Sequence, residues 1–158
     1  MQDLLDDFRA TLAAESVRLM AMSDAAAGMA PAMGKWSPKE VIGHLIDSAA
    51  NNHGRFVRAQ IADDLVFPGY DQDAWVKMQR YNQRPWMDLV ALWRSYNTHI
   101  ASVIEGIPQD RLSLQRTRHN LDEIAWRTVP REQPVTLEYF IRDYVAHMKH
   151  HLAQINIG

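Results

Sequence analysis

The sequence predicts an all-α protein, a four-helix bundle with a long crossover before its last helix. Four long segments repeat apolar residues at steps of three and four, the signature of one buried stripe per helix. No alternating series is long enough to build a sheet, so each stripe needs a partner helix to cover it. The 158 residues contain no internal repeat and no dividing linker, and one domain is expected over residues 1–158.

The first helix is expected from about Gln2 to Met22, with Leu5, Phe8, Leu12 and Leu19 on its stripe. Gly28, Pro31 and Gly34 then break the pattern between Ser23 and Lys35. The second helix has the clearest start in the chain, because Ser37-Pro38-Lys39-Glu40 combines a serine cap, proline at the first helical position and glutamate three residues on. Trp36 stands where it can staple that start. At 100° per residue, Val41, His44, Leu45, Ser48, Asn52, Arg55 and Phe56 share one broad inward face, with Asp47 and Asn51 on its flank. Gly43 costs about 1 kcal/mol relative to alanine inside a helix, which implies a close approach to its backbone, by a neighbouring helix before a ligand.

Phe67-Pro68-Gly69 forms a turn, and a short helix opens at Tyr70–Trp75 and lasts to about Asn82. Pro85 starts the third long helix, whose Trp86, Leu89, Trp93, Tyr96, Ile100, Val103 and Ile104 make a core stripe. Gly106 and Pro108 end it, and nothing helical is expected before Thr136. A connection of that length reads as a crossover holding Leu121, Ile124 and Trp126 against the body. Thr136 caps the last helix, whose inward face carries Leu137, Phe140, Ile141, Tyr144, His147, Met148, His151 and Ile155.

Composition excludes several classes of function. There is no cysteine, hence no disulfide, thiolate metal site or cysteine nucleophile. Seventeen basic against nineteen acidic residues, with no basic block, make nucleic acid an improbable partner. The acidic start and the lack of an apolar run of roughly 20 residues imply no membrane partner and a cytoplasmic location.

Histidine placement carries the chemistry. His147 and His151 lie one helical turn apart and can aim two imidazoles at one point, and His44 faces inward on the second helix. Three buried imidazoles without a shared purpose would each forfeit hydration, so a common metal is the economical reading. Imidazole ligands suit Zn, Ni, Co, Cu or Fe(II), and three of them leave positions open for water or substrate. Metal affinity should then fall as pH drops through about 6, where free imidazoles protonate. Asp47 and Asn51 could orient a ligand, although solvation is the plainer expectation for flank residues. His150 lies about 60° off the clamp, His53 points away, and His99 and His119 have no matching partner. Inward glutamates with paired E-x-x-H, H-E-x-x-H, G-x-S-x-G and a glycine-rich phosphate loop are all absent.

Trp36-Ser-Pro-Lys-Glu-Val-Ile-Gly-His44-Leu-Ile-Asp47-Ser, Tyr70-Asp-Gln-Asp-Ala-Trp75 and His147-x-x-x-His151-x-x-Gln154-Ile155 together resemble the DinB-like family and its YfiT-type branch. The resemblance spans essentially the whole chain. It implies an up-down-down-up four-helix bundle, often a homodimer, with a divalent metal on His44, His147 and His151. Zn or Ni leads, with Fe, Co or Mn as alternatives. It further implies a metal-dependent S-transferase that activates a low-molecular-weight thiol (bacillithiol, mycothiol or glutathione) for attack on a small electrophile, since a cation at sulfur stabilises the thiolate. Trp75, Tyr81 and Trp93 are candidate pocket walls. The rival readings are a metal-dependent hydrolase and a stress-response or binding protein whose metal is structural.

Overall fold

A computed structural model of the chain describes residues 1–155; the last three residues of the domain expected over 1–158 lie outside the described residues. Its helices are α1 (Gln2–Met20), α2 (Asp24–Ala27), α3 (Pro38–Arg58), α4 (Gln72–Gln79), α5 (Trp86–Glu105), α6 (Gln109–Ser113), α7 (Leu121–Ile124) and α8 (Leu137–Leu152), with a 3₁₀ turn at Tyr81–Gln83. No strand forms among the described residues, and no helix among them is long and apolar enough to cross a membrane.

The four long helices α1, α3, α5 and α8 form a bundle, and side-chain contacts fix their directions. Arg9 pairs with Glu105 at one end of α1 and α5, while Trp86 Nε1 donates to the Leu19 carbonyl at the other, so these two run antiparallel. Lys149 pairs with Asp7 and Arg142 with Asp3, and Arg18 donates to the Leu152 and Ile155 carbonyls, so α1 and α8 run parallel. Phe56 meets Phe140 edge-on at the end of α3 opposite His44, which makes α3 and α8 antiparallel. Ile46 lies beside Leu89 and His53 against His99, so α3 and α5 point the same way.

Local chemistry sets the helix starts. Ser37 and Glu40 form a reciprocal capping box, Ser37 Oγ accepting from the Glu40 N–H and Glu40 accepting from the Ser37 N–H, with Pro38 at the first position. Thr136 Oγ1 accepts from the Tyr139 N–H and starts α8. Asp71 caps α4 in the same way. The expected end of the first helix at Met22 was too generous: α1 stops at Met20, and Ser23 caps a separate turn, α2. The region expected to lack helix before Thr136 contains α6 and α7.

Those short pieces are held by long-range contacts that no local pattern announces. The buried Arg116 guanidinium donates to the Ala59 carbonyl at 2.9 Å, and Arg111 donates to the Ala62 carbonyl, so two cations cover the carbonyl end of α3. Arg116 also exchanges backbone hydrogen bonds with Val135, and Leu65 does so with Arg118 and Asn120. The crossover is thereby pinned along its length, with Leu121 fully buried as expected.

The close approach implied by Gly43 is made by an aromatic ring, not by a neighbouring helix. Arg80 ends α4 with φ of 52°, a left-handed conformation that non-glycine residues rarely adopt, and this turn swings Tyr81 back onto α3. A Cβ at Gly43 would stand 2.0 Å from Tyr81 Cδ2.

Candidate metal centre

The second and last helices bring His44, His147 and His151 together at one end of the bundle. Counting from its cap, α3 turns twice before presenting His44 inward, and α8 presents the other two one turn apart. One ring nitrogen from each lies within 4.8 Å of the others. His44 Nε2 stands 3.3 Å from His147 Nε2, and the ring centroids are 4.6 to 5.2 Å apart.

The donor set fits a divalent cation. Two nitrogens each about 2.0–2.1 Å from a tetrahedral zinc stand roughly 3.4 Å from one another, close to the spacing seen for His44 and His147. Burial pushes the pKa values of both down to about 3, and the neighbouring imidazoles push in the same direction. His151 is also lowered by burial, with the Gln154 hydrogen bond opposing. The His44 and His147 rings therefore stay neutral well below pH 6, and their share of the affinity loss expected near that pH moves to more acid solution. His44 Nδ1 is buried with no hydrogen-bond partner, so its ring is held by packing and by the Nε2 contact with His147.

A polar relay on the exposed side orients His151. Its Nδ1 donates to Gln154 Oε1 at 3.1 Å, which leaves Nε2 with a free lone pair, and Gln154 Nε2 donates to His150 at 3.0 Å. Two indoles flank the cluster. Trp36 lies 5.0 Å from the His44 ring and 6.4 Å from His151, and Trp126 lies 6.0 Å from His147. Sequence reasoning gave these three residues no part in the site. Their signals were modest: Trp36 next to the α3 cap, Trp126 in the crossover, and Gln154 one turn beyond His151.

Other expected site residues need correction. Asp47 is buried, not solvated, and its carboxylate accepts from the Tyr81 hydroxyl at 2.7 Å and from Gln79. Burial pushes its pKa up while these two bonds oppose. Asn51 donates to the Asp47 carbonyl within its own helix. Neither makes a hydrogen bond to a histidine of the cluster. Trp93 is fully buried in the core and forms no pocket wall, its side chain lying at the centre of the α5 stripe. Tyr81 packs on Gly43 and donates to Asp47, and it does line cavities, one of them shared with Trp36. Trp75 is 40 % exposed and packs on Tyr70 at 4.9 Å, at the margin of the bundle.

The remaining histidines lie outside the triad. His150 packs on Trp126, His53 pairs with His99, and the buried His119 is satisfied by the Gln133 carbonyl and the Leu121 N–H.

Beside His147 lies a cavity of about 110 Å³, walled by Ser48, Asn52, Arg55, Tyr70 and Asp143 among others. Both Asp143 oxygens accept backbone N–H bonds, from Trp126 and Arg127, each at 2.8 Å. Burial pushes the Asp143 pKa up against those two bonds and pushes the Tyr70 hydroxyl up to about 12.

Comparison with known proteins gives this arrangement a family. The profile of the DinB superfamily matches residues 7–155. The chain belongs to the DinB superfamily. A protein of Oceanobacillus iheyensis named "putative metal-dependent hydrolase" is 29 % identical over 122 residues, which is 77 % of this chain and 64 % of that protein's own length. Among solved structures, YfiT from Bacillus subtilis, described as a probable metal-dependent hydrolase with an unusual four-helix bundle topology, superposes with a TM-score of 0.75. That match covers 98 % of this chain and 85 % of YfiT at 19 % identity, and it establishes a shared four-helix-bundle fold.

Proposed function

We propose that His44, His147 and His151 hold one divalent cation and that this DinB protein is a metal-dependent hydrolase. The observation that carries the reading is the convergence of three neutral, largely buried imidazoles, two of them with nitrogens 3.3 Å apart, next to a cavity. A divalent cation in that position supplies Lewis acidity, polarising an acceptor oxygen and making a weak nucleophile's proton more acidic. The chain's own residues do the rest. Gln154 holds the His151 tautomer, Trp36 and Trp126 exclude bulk water from the flanks, and the polar wall of Ser48, Asn52 and Arg55 receives the substrate. A hydrolase is also what the names of the Oceanobacillus relative and YfiT propose for those proteins.

Water, as the smaller nucleophile, suits a cavity of about 110 Å³. Thiol transfer is the second reading, favoured by the two indoles against the histidines, since thioether and thiol sulfur pack well on aromatic rings. Zn or Ni remains the leading ion for either.

Protein purified without a tag or chelating resin, then stripped and reloaded, tests the reading. Elemental analysis should find about one metal per chain. The loaded protein should hydrolyse model esters or amides without added thiol, and metal-free protein should not. Turnover that requires bacillithiol or glutathione would move the assignment to thiol transfer. Failure of wild-type protein to take up any divalent metal would overturn both.

A further inference from the structure

The bundle interior holds a cation with no carboxylate in contact with it. Arg55, on the same inward face of α3 as His44, is only 4 % exposed. Its Nη1 donates to Asn52 Oδ1 at 3.3 Å and its Nη2 to the Pro68 carbonyl at 2.9 Å, both neutral acceptors, and its face lies over the Phe140 ring. No carboxylate stands within ion-pair distance of it among the described residues. A guanidinium does not shed its proton, so a buried one without an anion is costly to the fold.

Arg116 shows what a structural solution looks like in this chain. It is equally buried, but it donates to the Arg111, Leu114 and Ala59 carbonyls and covers a helix end. Arg55 instead lines the cavity that also has His147 in its wall. The acids in that wall are committed elsewhere: Asp143 to two backbone N–H groups, Glu123 to Arg131. Tyr70 is uncharged at neutral pH. Arg55 and Asp143 thus carry opposite charges in the same wall without touching, and the Arg55 guanidinium is the cation that faces the cavity beside the histidine cluster.

We propose that this cavity is a carboxylate subsite, in which Arg55 receives a carboxylate of the substrate and so places the rest of that molecule toward His147. A guanidinium presents parallel N–H donors that match a planar carboxylate. About 110 Å³ holds the volume of roughly four waters, enough for a carboxylate and a short aliphatic stem. The substrate class is thus a small acid whose scissile or electrophilic group lies a few bonds from its carboxylate. As a statement about substrate this rests on the metal-dependent reading above, whereas the anion site itself does not.

The test uses metal-free protein, so that a carboxylate has no cation but Arg55 to find. Butyrate and its amide, butyramide, are titrated while the arginine guanidinium resonances and the melting temperature are followed. Butyrate should bind saturably, at least tenfold more tightly than butyramide, and Arg55→Gln should weaken it tenfold or more. Asn52→Asp provides a variant that keeps Arg55: an internal carboxylate at the position of Asn52 Oδ1 should abolish butyrate binding while leaving the melting temperature equal or higher. Equal binding of acid and amide, no saturable binding to wild type, or butyrate binding unchanged in Asn52→Asp would overturn the proposal, even if Arg55→Gln does not fold. Metal uptake by the same preparations is measured separately. Loss of the metal reading with Arg55-dependent binding intact, or the reverse, tells the two failures apart.

Discussion

Gly43→Ala should destabilise this protein, although alanine is the better helix former. In an open helix interior the change would gain about 1 kcal/mol. Here the new methyl would stand 2.0, 2.2 and 2.5 Å from Tyr81 Cδ2, Cγ and Cε2, so the ring must leave its place. Tyr81 is only 5 % exposed and its hydroxyl donates to buried Asp47 at 2.7 Å, so moving it strains the packing and strips a buried carboxylate of a donor. Overpacking costs about 1–3 kcal/mol and a hydrogen bond to a charged group about 1.5–3 kcal/mol. Set against the propensity gain, the net loss is about 1.5–5 kcal/mol, or roughly 3–20 °C in melting temperature for a chain of this size. Urea and thermal melts of wild type, Gly43→Ala, Tyr81→Ala and the double variant would measure it. In the Tyr81→Ala background the clash is gone, and Gly43→Ala should become neutral or stabilising. A Gly43→Ala variant as stable as wild type, or the same loss with and without Tyr81, would refute the reasoning.

His44→Ala, His147→Ala and His151→Ala should each reduce bound metal from about one per chain to nearly none by elemental analysis, while far-UV circular dichroism stays helical, because the hydrophobic core extends along the whole bundle. Added metal should raise the wild-type melting point and leave the variants' unchanged, with about 2.7 kcal/mol gained at one hundred times the dissociation constant. Metal-free protein should be equally stable from pH 8 to about 6.5 and then weaken on acidification. The folded-state pKa values of His44 and His147 lie near 3 against about 6.5 unfolded, so the unfolded chain takes up protons first, at about 1.4 kcal/mol per pH unit for each histidine. Denaturant melts of wild type and His44→Gln/His147→Gln between pH 7 and 4 check this, the double variant losing most of that slope. Gln154→Leu should keep the fold and all three ligands but weaken metal binding about 10–100-fold in chelator competition, because the His151 tautomer is no longer fixed.

The parts of the fold written in local chemistry were legible in the sequence. The Ser37–Glu40 capping box, the Thr136 cap and the stripes of α3, α5 and α8 each draw on residues within a few positions of one another. Counting 100° per residue from a known start also put His44, Asn52 and Arg55 on the buried face. The rest depended on contacts between distant segments. α6 and α7 are five- and four-residue turns, and the region of α6 is anchored by Arg111 and Arg116, whose partners just past the end of α3 lie some fifty positions away. Helical counting gives a direction but no depth, which is why Asp47 was assigned to solvent and Trp93 to a pocket. The one is covered by Gln79 and Tyr81 from the α4 region, and the other lies at the middle of its stripe. Trp36 and Gln154 were missed as site residues for a related reason. Each lies just outside a long helix, and its role appears only when α3 and α8 are laid side by side.

The same burial that fits the triad for a metal makes the empty triad expensive. Three imidazoles are withdrawn from water on antiparallel helices, and His44 Nδ1 finds no acceptor in return. Protonation is opposed chiefly by burial, which penalises a charged ring at His44 and His147. A bound cation would take up the free lone pairs and tie α3 to α8. Arg18 already fixes the neighbouring end of α8 by donating to the Leu152 and Ile155 carbonyls, so His151 cannot relax outward with a fraying helix end. Preorganisation of this kind puts the cost of assembling the site into folding and leaves more of the metal–ligand bonding energy for affinity. Arg55 repeats the pattern deeper in the bundle: a buried charge is carried in the fold without its partner, at the place where an incoming carboxylate would supply one.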